Sequence, residues 1–462
     1  MEDITMRKIF QYIMLAVVTI VMASCTSDIE ETTATAGKSN VQLVVGEFPA
    51  FGDSQTRAIG TPDPGKTSWA EGDELLLVID NTFYGKQYAT FTYNGKSWKL
   101  TSGELVYREG DPAYIPHVYY APNYKWEAGK LVLKEGKAAG TDEYIEGTAQ
   151  ITPNGEAITV KFSEATRNYS RLRIATMPNK PITVTIDRYT PAGSSDMKWD
   201  QKYALTSDEK GNAYLYGTFY NNSIVTVKYR GATLKTYKFS KETENAKSYA
   251  LDATVISANS AEEIKSAIEQ KVADGKTAIR LNLASDAGDN EFKAIREAFE
   301  NVRSGTIDLT LIGCKEIPAE GLNNSFRELE ALKSITLPDV TKLGKRAFIY
   351  CENLETVNAP KVTAIDQQAF YSCQRLEKVI LGTLTDVRGE AYSEDGIFNE
   401  ISFLYRNTDL YLPESQEIMQ GEFDENSNQY IWKPTGEKYF DSDDSGSGLF
   451  LDYQFRSVKS WE

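Results

Sequence analysis

An eleven-residue pattern that occurs twice constrains this chain more than any other feature. The segment AFIYCENLETV begins at Ala347, and the segment AFYSCQRLEKV begins 22 residues later at Ala369. Self-similarity at a fixed short period indicates a repeat architecture, in which each copy forms one structural unit. A unit this small cannot bury its own apolar face, so neighbouring units must stack and share a continuous core.

The repeated positions predict which side chains form that core. Their apolar character recurs in the pairs Val340 and Val362, Phe348 and Phe370, Cys351 and Cys373, Leu354 and Leu376, and Val357 and Val379. The next member of the phenylalanine column is predicted to be Tyr392, with the register lost after it. Positions that differ between copies are predicted to face outward, namely Lys342, Lys345 and Thr356 in one copy and Ala364, Gln367 and Lys378 in the next.

The segment from Leu332 to Leu381 resembles the BspA-like class of leucine-rich repeat. The shared form is L-x-x-V-x-x-P/A-x-V-x-x-I-x-x-x-A-F-x-x-C-x-x-L. The resemblance implies a solenoid domain over residues 256–462 that presents an extended surface to partners. Residues 256–320 predict two helix–strand units, the first opened by a capping box of Ser260 and Glu263. Such atypical terminal units predict an α/β cap at the start of the solenoid.

Residues 41–255 show a different pattern of short β-branched and aromatic runs separated by turn residues. Asn94-Gly95 predicts a type I′ hairpin turn, and Arg230-Gly231 predicts a second hairpin. Many strands without interleaved helices predict antiparallel β-sandwiches. The length predicts two, over residues 41–153 and 154–255.

The stretch from Thr56 to Asp80, TRAIGTPDPGKTSWAEGDELLLVID, resembles fimbrillin-type surface proteins. Its Gly72 permits a tight turn, Asp73 caps that turn, and Trp69 closes one end of a sandwich. The resemblance implies that both modules are fimbrillin-like. It also implies Arg57 as a candidate proteolytic site, whose cleavage would open a groove for a neighbouring subunit's strand. A plain loop arginine is the alternative interpretation.

The N-terminus predicts a lipoprotein signal peptide over residues 1–24. Arg7 and Lys8 precede an almost entirely apolar run from Phe10 to Met22, which is shorter than the roughly 20 residues of a membrane-spanning helix. The run ends in MASC, which resembles a bacterial lipobox and implies lipidation of Cys25. Residues 25–40 are predicted to be a disordered tether. This implies an outer-membrane lipid anchor on the cell surface; an ordinary secretory signal is the alternative.

Composition argues against several function classes. With 50 basic and 66 acidic residues, the net charge of −16 disfavours nucleic acid as a partner. His117 is the only histidine, so a catalytic triad would have to converge on it. No nucleotide, metal or nucleophile motif occurs, and no cofactor is predicted. The spacing of Cys351 and Cys373 on adjacent rungs favours free buried thiols over a disulfide.

One acidic segment matches part of the ligand pattern of a calcium-binding EF-hand loop. Asp441, Asp443, Ser445 and Asp452 fall at EF-hand positions 1, 3, 5 and 12. Flanking helices are not predicted there, and the twelfth position prefers Glu. A solvated acidic loop is therefore the favoured interpretation, and no metal site is predicted.

Together these observations predict a mostly β, multi-domain protein: two antiparallel β-sandwich modules followed by a short leucine-rich-repeat solenoid. The two resemblances imply a non-catalytic surface lipoprotein that binds host or bacterial proteins or glycans, and that acts as a fimbrial accessory or tip subunit. The binding surface is expected in the loops of 393–448 and on outward strand residues. The competing hypotheses are a glycan hydrolase or glycan-binding lipoprotein, and a periplasm-facing scaffold.

Overall fold

The computed structural model describes residues 42–51, 65–81, 85–104, 117–152, 157–162, 167–258, 260–319, 329–391, 393–398, 407–440 and 448–461. The signal peptide, Cys25, its tether and Arg57 lie outside these residues. The described residues form two compact units. One holds those within 1–49, 66–132 and 145–166, and the other holds those within 50–65, 133–144 and 167–462.

The described strands fall into three stretches of the chain. Residues 42–161 contain β1 (Gln42–Val45), β2 (Glu74–Asn81), β3 (Gly85–Tyr93), β4 (Trp98–Gly103), β5 (His117–Tyr120), β6 (Tyr124–Glu127), β7 (Lys130–Leu133), β8 (Ile145–Ile151) and β9 (Ala157–Lys161). Residues 170–252 contain β10 (Ser170–Ala175), β11 (Pro181–Pro191), β12 (Lys198–Thr206), β13 (Asn212–Phe219), β14 (Ile224–Tyr229), β15 (Ala232–Lys238) and β16 (Ser248–Asp252).

The remaining elements lie between residues 256 and 461. The helices are α1 (Ala261–Ala273) and α2 (Asp289–Phe299). The strands are β17 (Ile256–Ser257), β18 (Ala278–Asn282), β19 (Ile307–Ile312), β20 (Glu316–Ile317), β21 (Leu332–Thr336), β22 (Lys342–Leu343), β23 (Thr356–Ala359), β24 (Ala364–Ile365), β25 (Lys378–Leu381), β26 (Asp386–Arg388), β27 (Asp409–Pro413), β28 (Glu417–Asp424), β29 (Gln429–Lys438), β30 (Leu449–Phe450), β31 (Tyr453–Gln454) and β32 (Ser457–Trp461). The mostly β fold class is confirmed.

The first seven-stranded sheet has the order β1-β9-β8-β5-β2-β3-β4. Strand β8 belongs to two halves of this sheet, because Ile145–Gly147 pair with β5 while Thr148–Ile151 pair with β9. A strand that switches partners in this way makes the corner of a folded sheet. The pairing also places β9 in the first sheet, so this sheet continues to Lys161, past the boundary predicted at residue 153.

Trp69 packs in the aromatic core of this first sheet. Its ring makes edge contacts with Phe48, Tyr120 and Phe162 at centroid distances of 4.9 to 5.4 Å. Its indole N–H donates to the carbonyl of Gly46 at 2.8 Å. The turn that follows Trp69 is closed by Asp73, whose carboxylate accepts from the Ala70 amide at 2.7 Å.

The predicted type I′ turn at Asn94-Gly95 is wrong in its details. Tyr93 pairs with Trp98, so the hairpin loop has four residues, and within it only Gly95 has a positive φ, of 87°. The Asn94 side chain accepts from the amides of Lys96 and Ser97 and thereby replaces the tighter turn. The second hairpin is confirmed, because Arg230 and Gly231 both have positive φ between paired Tyr229 and Ala232.

The second seven-stranded sheet also folds over one core. Its order is β15-β14-β11-β13-β10-β16, with β12 on the other edge of β11. The first half of β11 pairs with β14 through Thr183–Ile186, whereas Tyr189–Pro191 pair with β13. Side chains from both halves, among them Val184, Leu215 and Val227, are fully buried in one cluster. This arrangement is a sandwich made by a bent strand.

Two sheets form the solenoid. The larger has the order β17-β18-β19-β21-β23-β25-β27-β32, and all of its neighbouring strands are parallel. The smaller has the order β20-β22-β24-β26-β29-β28. Helix α1 begins at the predicted cap, since Ser260 Oγ accepts from the Glu263 amide at 3.2 Å. The buried faces of α1 and α2 pack into the same core as the repeats.

The phenylalanine column runs through the turns between the two sheets. Phe348 stacks on Phe370 at 5.5 Å, and Phe370 stacks on Phe398 at 5.4 Å. The Phe370 amide donates to Ile397, as the Phe348 amide donates to Ala369. The third column member is therefore Phe398, and the prediction of Tyr392, which lies outside the described residues, is wrong. The extra residues of this repeat precede the phenylalanine instead of following it.

The other repeat positions are buried as a set. All ten predicted core positions of the repeat are 0 to 4% exposed, namely Val340, Phe348, Cys351, Leu354, Val357, Val362, Phe370, Cys373, Leu376 and Val379. Gln367, predicted to face outward, is only 6% exposed. Its carbonyl accepts from the Arg346 amide of the preceding turn, which holds the residue within the stack.

An antiparallel hairpin ends the smaller sheet. Strand β29 pairs with β26, Val387 facing Trp432, and β28 pairs with the far side of β29. Trp432 is 3% exposed, and its indole N–H donates to Gly389 at 2.9 Å. Neither helix in the described part of the chain is long and apolar enough to span a membrane.

We expect Phe370→Ala to lower the free energy of unfolding by about 3–5 kcal/mol, because the cavity interrupts the phenylalanine stack on both sides. Denaturant unfolding of the full chain measures the change. Gln374→Ala, at an exposed position of the same repeat, is the control. A loss below about 1 kcal/mol for Phe370→Ala would contradict a stack that carries stability.

Candidate functional site

The histidine and the cysteines that were considered as catalytic or metal-binding candidates do not form a site in the described part of the chain. His117 is exposed at the start of β5, with its ring stacked on Tyr119 at 6.3 Å. Cys314, Cys351 and Cys373 are buried free thiols. Burial raises the pKa of Cys314 to about 12 and raises the pKa of Cys351 and Cys373 as well, so these thiols stay protonated and unreactive.

The interpretation of the acidic segment as a solvated loop, favoured over a calcium site, stays a prediction. Asp441, Asp443 and Ser445 lie outside the described residues, and Asp452 occupies the tight turn between β30 and β31 with φ of 60°. Across the described ranges, His, Cys, Asp and Glu side chains form no group of three or more that could hold a metal ion.

A shallow groove of about 540 Å³ lies on the α1 and α2 side of the cap. Its charged side chains are engaged locally: Lys265 pairs with Glu297 at 2.9 Å, and Glu291 accepts from the Gly288 amide at 3.0 Å. The groove therefore offers an ordinary solvated helix surface.

The outer face of the larger parallel sheet carries two regular columns of side chains. Successive residues of a strand point to opposite faces, and parallel register aligns equivalent residues on neighbouring strands. The first column contains Asp308, Ser334, Thr356, Lys378, Asp409 and Ser457. The second contains Thr310, Thr336, Asn358, Ile380, Tyr411 and Lys459.

The columns change character at their C-terminal end, where small polar residues give way to aromatic and cationic ones. We call this region the aromatic patch, defined as Lys378, Ile380, Tyr411, Lys459 and Trp461. The Nζ atoms of Lys378 and Lys459 lie 4.8 and 5.7 Å from the centroid of the half-buried Tyr411 ring. These are cation–π contacts, which hold the ammonium groups beside the ring.

Trp461 completes the patch from the last strand. It lies two residues beyond Lys459 and pairs with Pro413, so it shares the outer face with Tyr411. Its indole N–H donates to the Leu381 carbonyl of β25 at 2.9 Å, which fixes the half-buried ring. Two aromatic rings thus stand in fixed positions on the adjacent strands β27 and β32.

Asp409 borders the patch and is committed to its own neighbours. It accepts hydrogen bonds from Arg456 and, at 2.6 Å, from Ser457 Oγ, while Lys459 Nζ lies 3.9 Å away. The hydrogen bond from Arg456 is the largest cause that lowers its pKa to about 2. Asp409 is therefore a permanent anion at neutral pH and a poor general acid. The arrangement suits recognition better than proton transfer.

Other exposed aromatic side chains lie elsewhere. Trp199 on β12 is 62% exposed, beside Arg188 at 5.7 Å, and Phe423 on β28 is 58% exposed. Phe423 belongs to the stretch 393–448, where the sequence predicted ligand contact. Among the described residues, neither ring has a second aromatic side chain fixed beside it on a regular parallel sheet, as Tyr411 has in Trp461.

Of the residues in the patch, Lys378 was predicted from the sequence to face outward, whereas Tyr411, Lys459 and Trp461 were not. The alternation in TDLYLP and FRSVKSW places those three on one face of their strands. That signal was present, although only the register between β25, β27 and β32 brings the residues together.

We expect Asp409→Asn to destabilise the protein by about 1 kcal/mol at pH 7, a modest value because Arg456 is half exposed. The folded-state pKa is about 2 and the ordinary value is 3.8, so the contribution is present above pH 3.8 and is lost as the pH falls through about 2. The stability difference between wild type and Asp409→Asn, measured by denaturant unfolding, should shrink over this range. Glu414→Gln removes the same charge at an exposed position and should show no such trend.

Comparison with known proteins identifies the repeat. Residues 296–411 match the family model described as BspA type leucine rich repeat region, in 6 copies. Curated proteins gave no match. A crystal structure of a candidate cell adhesion protein from Bacteroides fragilis NCTC 9343 is similar at 12% identity and a TM-score of 0.26, over 47% of this chain and 94% of that one. That TM-score is too low to support an argument. Residues 296–411 are thus a BspA-type leucine-rich repeat region.

Proposed function

We propose that this chain is a non-catalytic, adhesion-type binding protein of the cell surface, and that it contacts a partner protein or glycan through the aromatic patch. The observation that carries the proposal is the patch itself: two ordered rings and two exposed ammonium groups on a rigid parallel sheet. Rings that are already fixed lose little conformational entropy when a partner binds, which favours affinity.

The repeat supports this function through its regularity. Because the register aligns one residue of each strand with its neighbours, a partner meets a continuous surface in place of separate loops. The BspA-type family match over 296–411 agrees with such a surface. The lipobox resemblance at Cys25 supports a lipid anchor in the outer membrane, and the fimbrillin resemblance of residues 41–255 supports surface display.

A fimbrial accessory role is a second candidate. Strand β1 pairs in parallel with β9 and stands at the edge of the first sheet, ahead of Arg57 in the chain. Release of that strand by cleavage at Arg57 would uncover the β9 edge for a strand of a neighbouring subunit. N-terminal sequencing of the mature surface protein decides whether Arg57 is processed.

The two competing hypotheses, a glycan hydrolase and a periplasm-facing scaffold, predict different observations. A glycan hydrolase needs a pair of carboxyl groups about 5–9.5 Å apart with one free to carry a proton. Asp409, the carboxylate beside the patch, is held ionised by Arg456 and Ser457 and does not fit the acid role. A periplasm-facing scaffold would be shielded from protease in intact cells, whereas a surface protein would be digested.

We expect Tyr411→Ala to reduce the binding of purified full chain to host-cell monolayers at least about 10-fold, equivalent to 1.4 kcal/mol, without changing the melting temperature. Tyr237→Ala, on the exposed side of β15, is the matched control and should bind normally. Phe423→Ala tests the β28–β29 hairpin in the same assay. Unchanged binding by Tyr411→Ala, together with a loss in Phe423→Ala, would move the site to the hairpin.

For the anchor, we expect Cys25→Ala to give a soluble or unprocessed precursor that lacks fatty acid, because only the Cys25 thiol can accept the diacylglyceryl group at MASC. Metabolic labelling with a fatty acid and membrane fractionation measure the change. Ser24→Ala, which keeps a small residue before Cys25, should still be labelled. Normal lipid labelling of Cys25→Ala would show that Cys25 is not the acceptor.

A further inference from the structure

We propose that the ligand of the aromatic patch is an acidic saccharide, one whose sugar ring lies against Tyr411 or Trp461 and whose carboxylate or sulfate group is bound by Lys378 and Lys459. This inference rests on the proposed function and names the chemical class of its partner. It follows from the charges around Tyr411, from the surroundings of the Lys378 ammonium group, and from the shape of the aromatic surface.

The cations at the patch outnumber the carboxylates near them. Arg456, Lys459 and Lys378 stand against two carboxylates: Asp409, which is already bound by Arg456 and Ser457, and Glu377, whose charge acts on Arg456. The Lys459 ammonium is 3.9 Å from the Asp409 carboxylate, at the outer limit of an ion pair. The local excess of positive charge contrasts with a chain whose net charge is −16.

Lys378 is the clearest indication of an anionic ligand. Its side chain is exposed, and within the described residues its ammonium group forms no ion pair with a carboxylate; it lies over the face of Tyr411. Elsewhere on the larger sheet, Lys333 pairs with Glu355 at 3.7 Å. A cation that is held over an aromatic ring and left without a counter-ion is suited to bind an anion from outside.

The aromatic surface favours a saccharide over an acidic peptide. A sugar ring has one face of C–H groups, which packs against the electron-rich face of an aromatic ring, and an edge of hydroxyl groups. Ile380 and Pro413 surround the rings with further apolar surface, while Asn358 and Ser457 supply neutral polar groups in the neighbouring columns. An extended acidic peptide would instead require a series of cations along the columns, where Ser334, Thr336 and Thr356 stand.

The experiment measures binding of the purified full chain to four polymers: polygalacturonate, heparin, dextran and poly-glutamate. They represent a carboxylate saccharide, a sulfated saccharide, a neutral saccharide and an acidic peptide. We expect binding to one or both acidic saccharides, at least about 10-fold tighter than to dextran or poly-glutamate, and weaker at high salt because the lysines are exposed. The preference between the first two polymers identifies carboxylate or sulfate as the bound group.

The variant for this test is Lys378→Gln combined with Lys459→Gln. We expect it to lose at least about 10-fold in affinity for the acidic saccharide while its melting temperature is retained. The matched control is Lys333→Gln combined with Lys433→Gln, which removes the same charge from two exposed lysines outside the patch. An equal loss of affinity in the control variant would show that the effect depends on net charge alone, and would overturn the proposal.

The remaining outcomes separate this inference from the proposed function. The first outcome is that dextran binds as tightly as the acidic saccharides, or that poly-glutamate binds more tightly, while Tyr411→Ala still weakens binding. That outcome would overturn the proposal of an acidic saccharide ligand and leave the patch as the binding surface. Binding to the acidic saccharides that survives both the double lysine variant and Tyr411→Ala would overturn the patch itself, and with it the proposed function.

Discussion

The parallel register of the larger sheet is the constraint on which the rest of the solenoid depends. Ser334 pairs with Thr356 and Thr356 with Lys378, so each repeat adds one strand directly above the last. The stacked rings of Phe348, Phe370 and Phe398 keep the turns at the same spacing as the strands. A repeat that lost either contact would leave its neighbours with an exposed apolar edge, which explains why the core positions are copied and the outer ones vary.

The parts of the fold that could be predicted are those set by local or strictly periodic signals. The Ser260 cap, the Arg230-Gly231 hairpin and the column from Phe348 to Phe370 all follow from residues close together in sequence or separated by one period. The prediction of Tyr392 was wrong because a repeat count gives no information about where an insertion lies. At Asn94, a side chain that hydrogen-bonds the loop backbone prevailed over the turn preference of Asn-Gly.

The candidate site could be predicted only in part. Alternation along a strand indicates that Tyr411 and Lys459 face outward, but their contact depends on β32 pairing with β27 across a long irregular stretch. The pairing of Asp409 with Arg456 depends on the same register. The acidic composition gave no indication of the patch either, since a net charge of −16 for the whole chain does not reveal a local excess of cations. Local charge emerges only when the sheet is assembled.

Because the aromatic patch lies on the last strands, the number of repeats sets the distance between the patch and the helical cap. The patch is built from β25, β27 and β32, whereas the helical cap packs at the other end of the same sheet, around β18 and β19. Each additional repeat inserted between them would lengthen the sheet by about 4.8 Å without altering a residue of either end. Relatives with more or fewer repeats would then carry the same binding chemistry at a different distance from the cap. Repeat number would adjust reach, while the terminal strands would set what is bound.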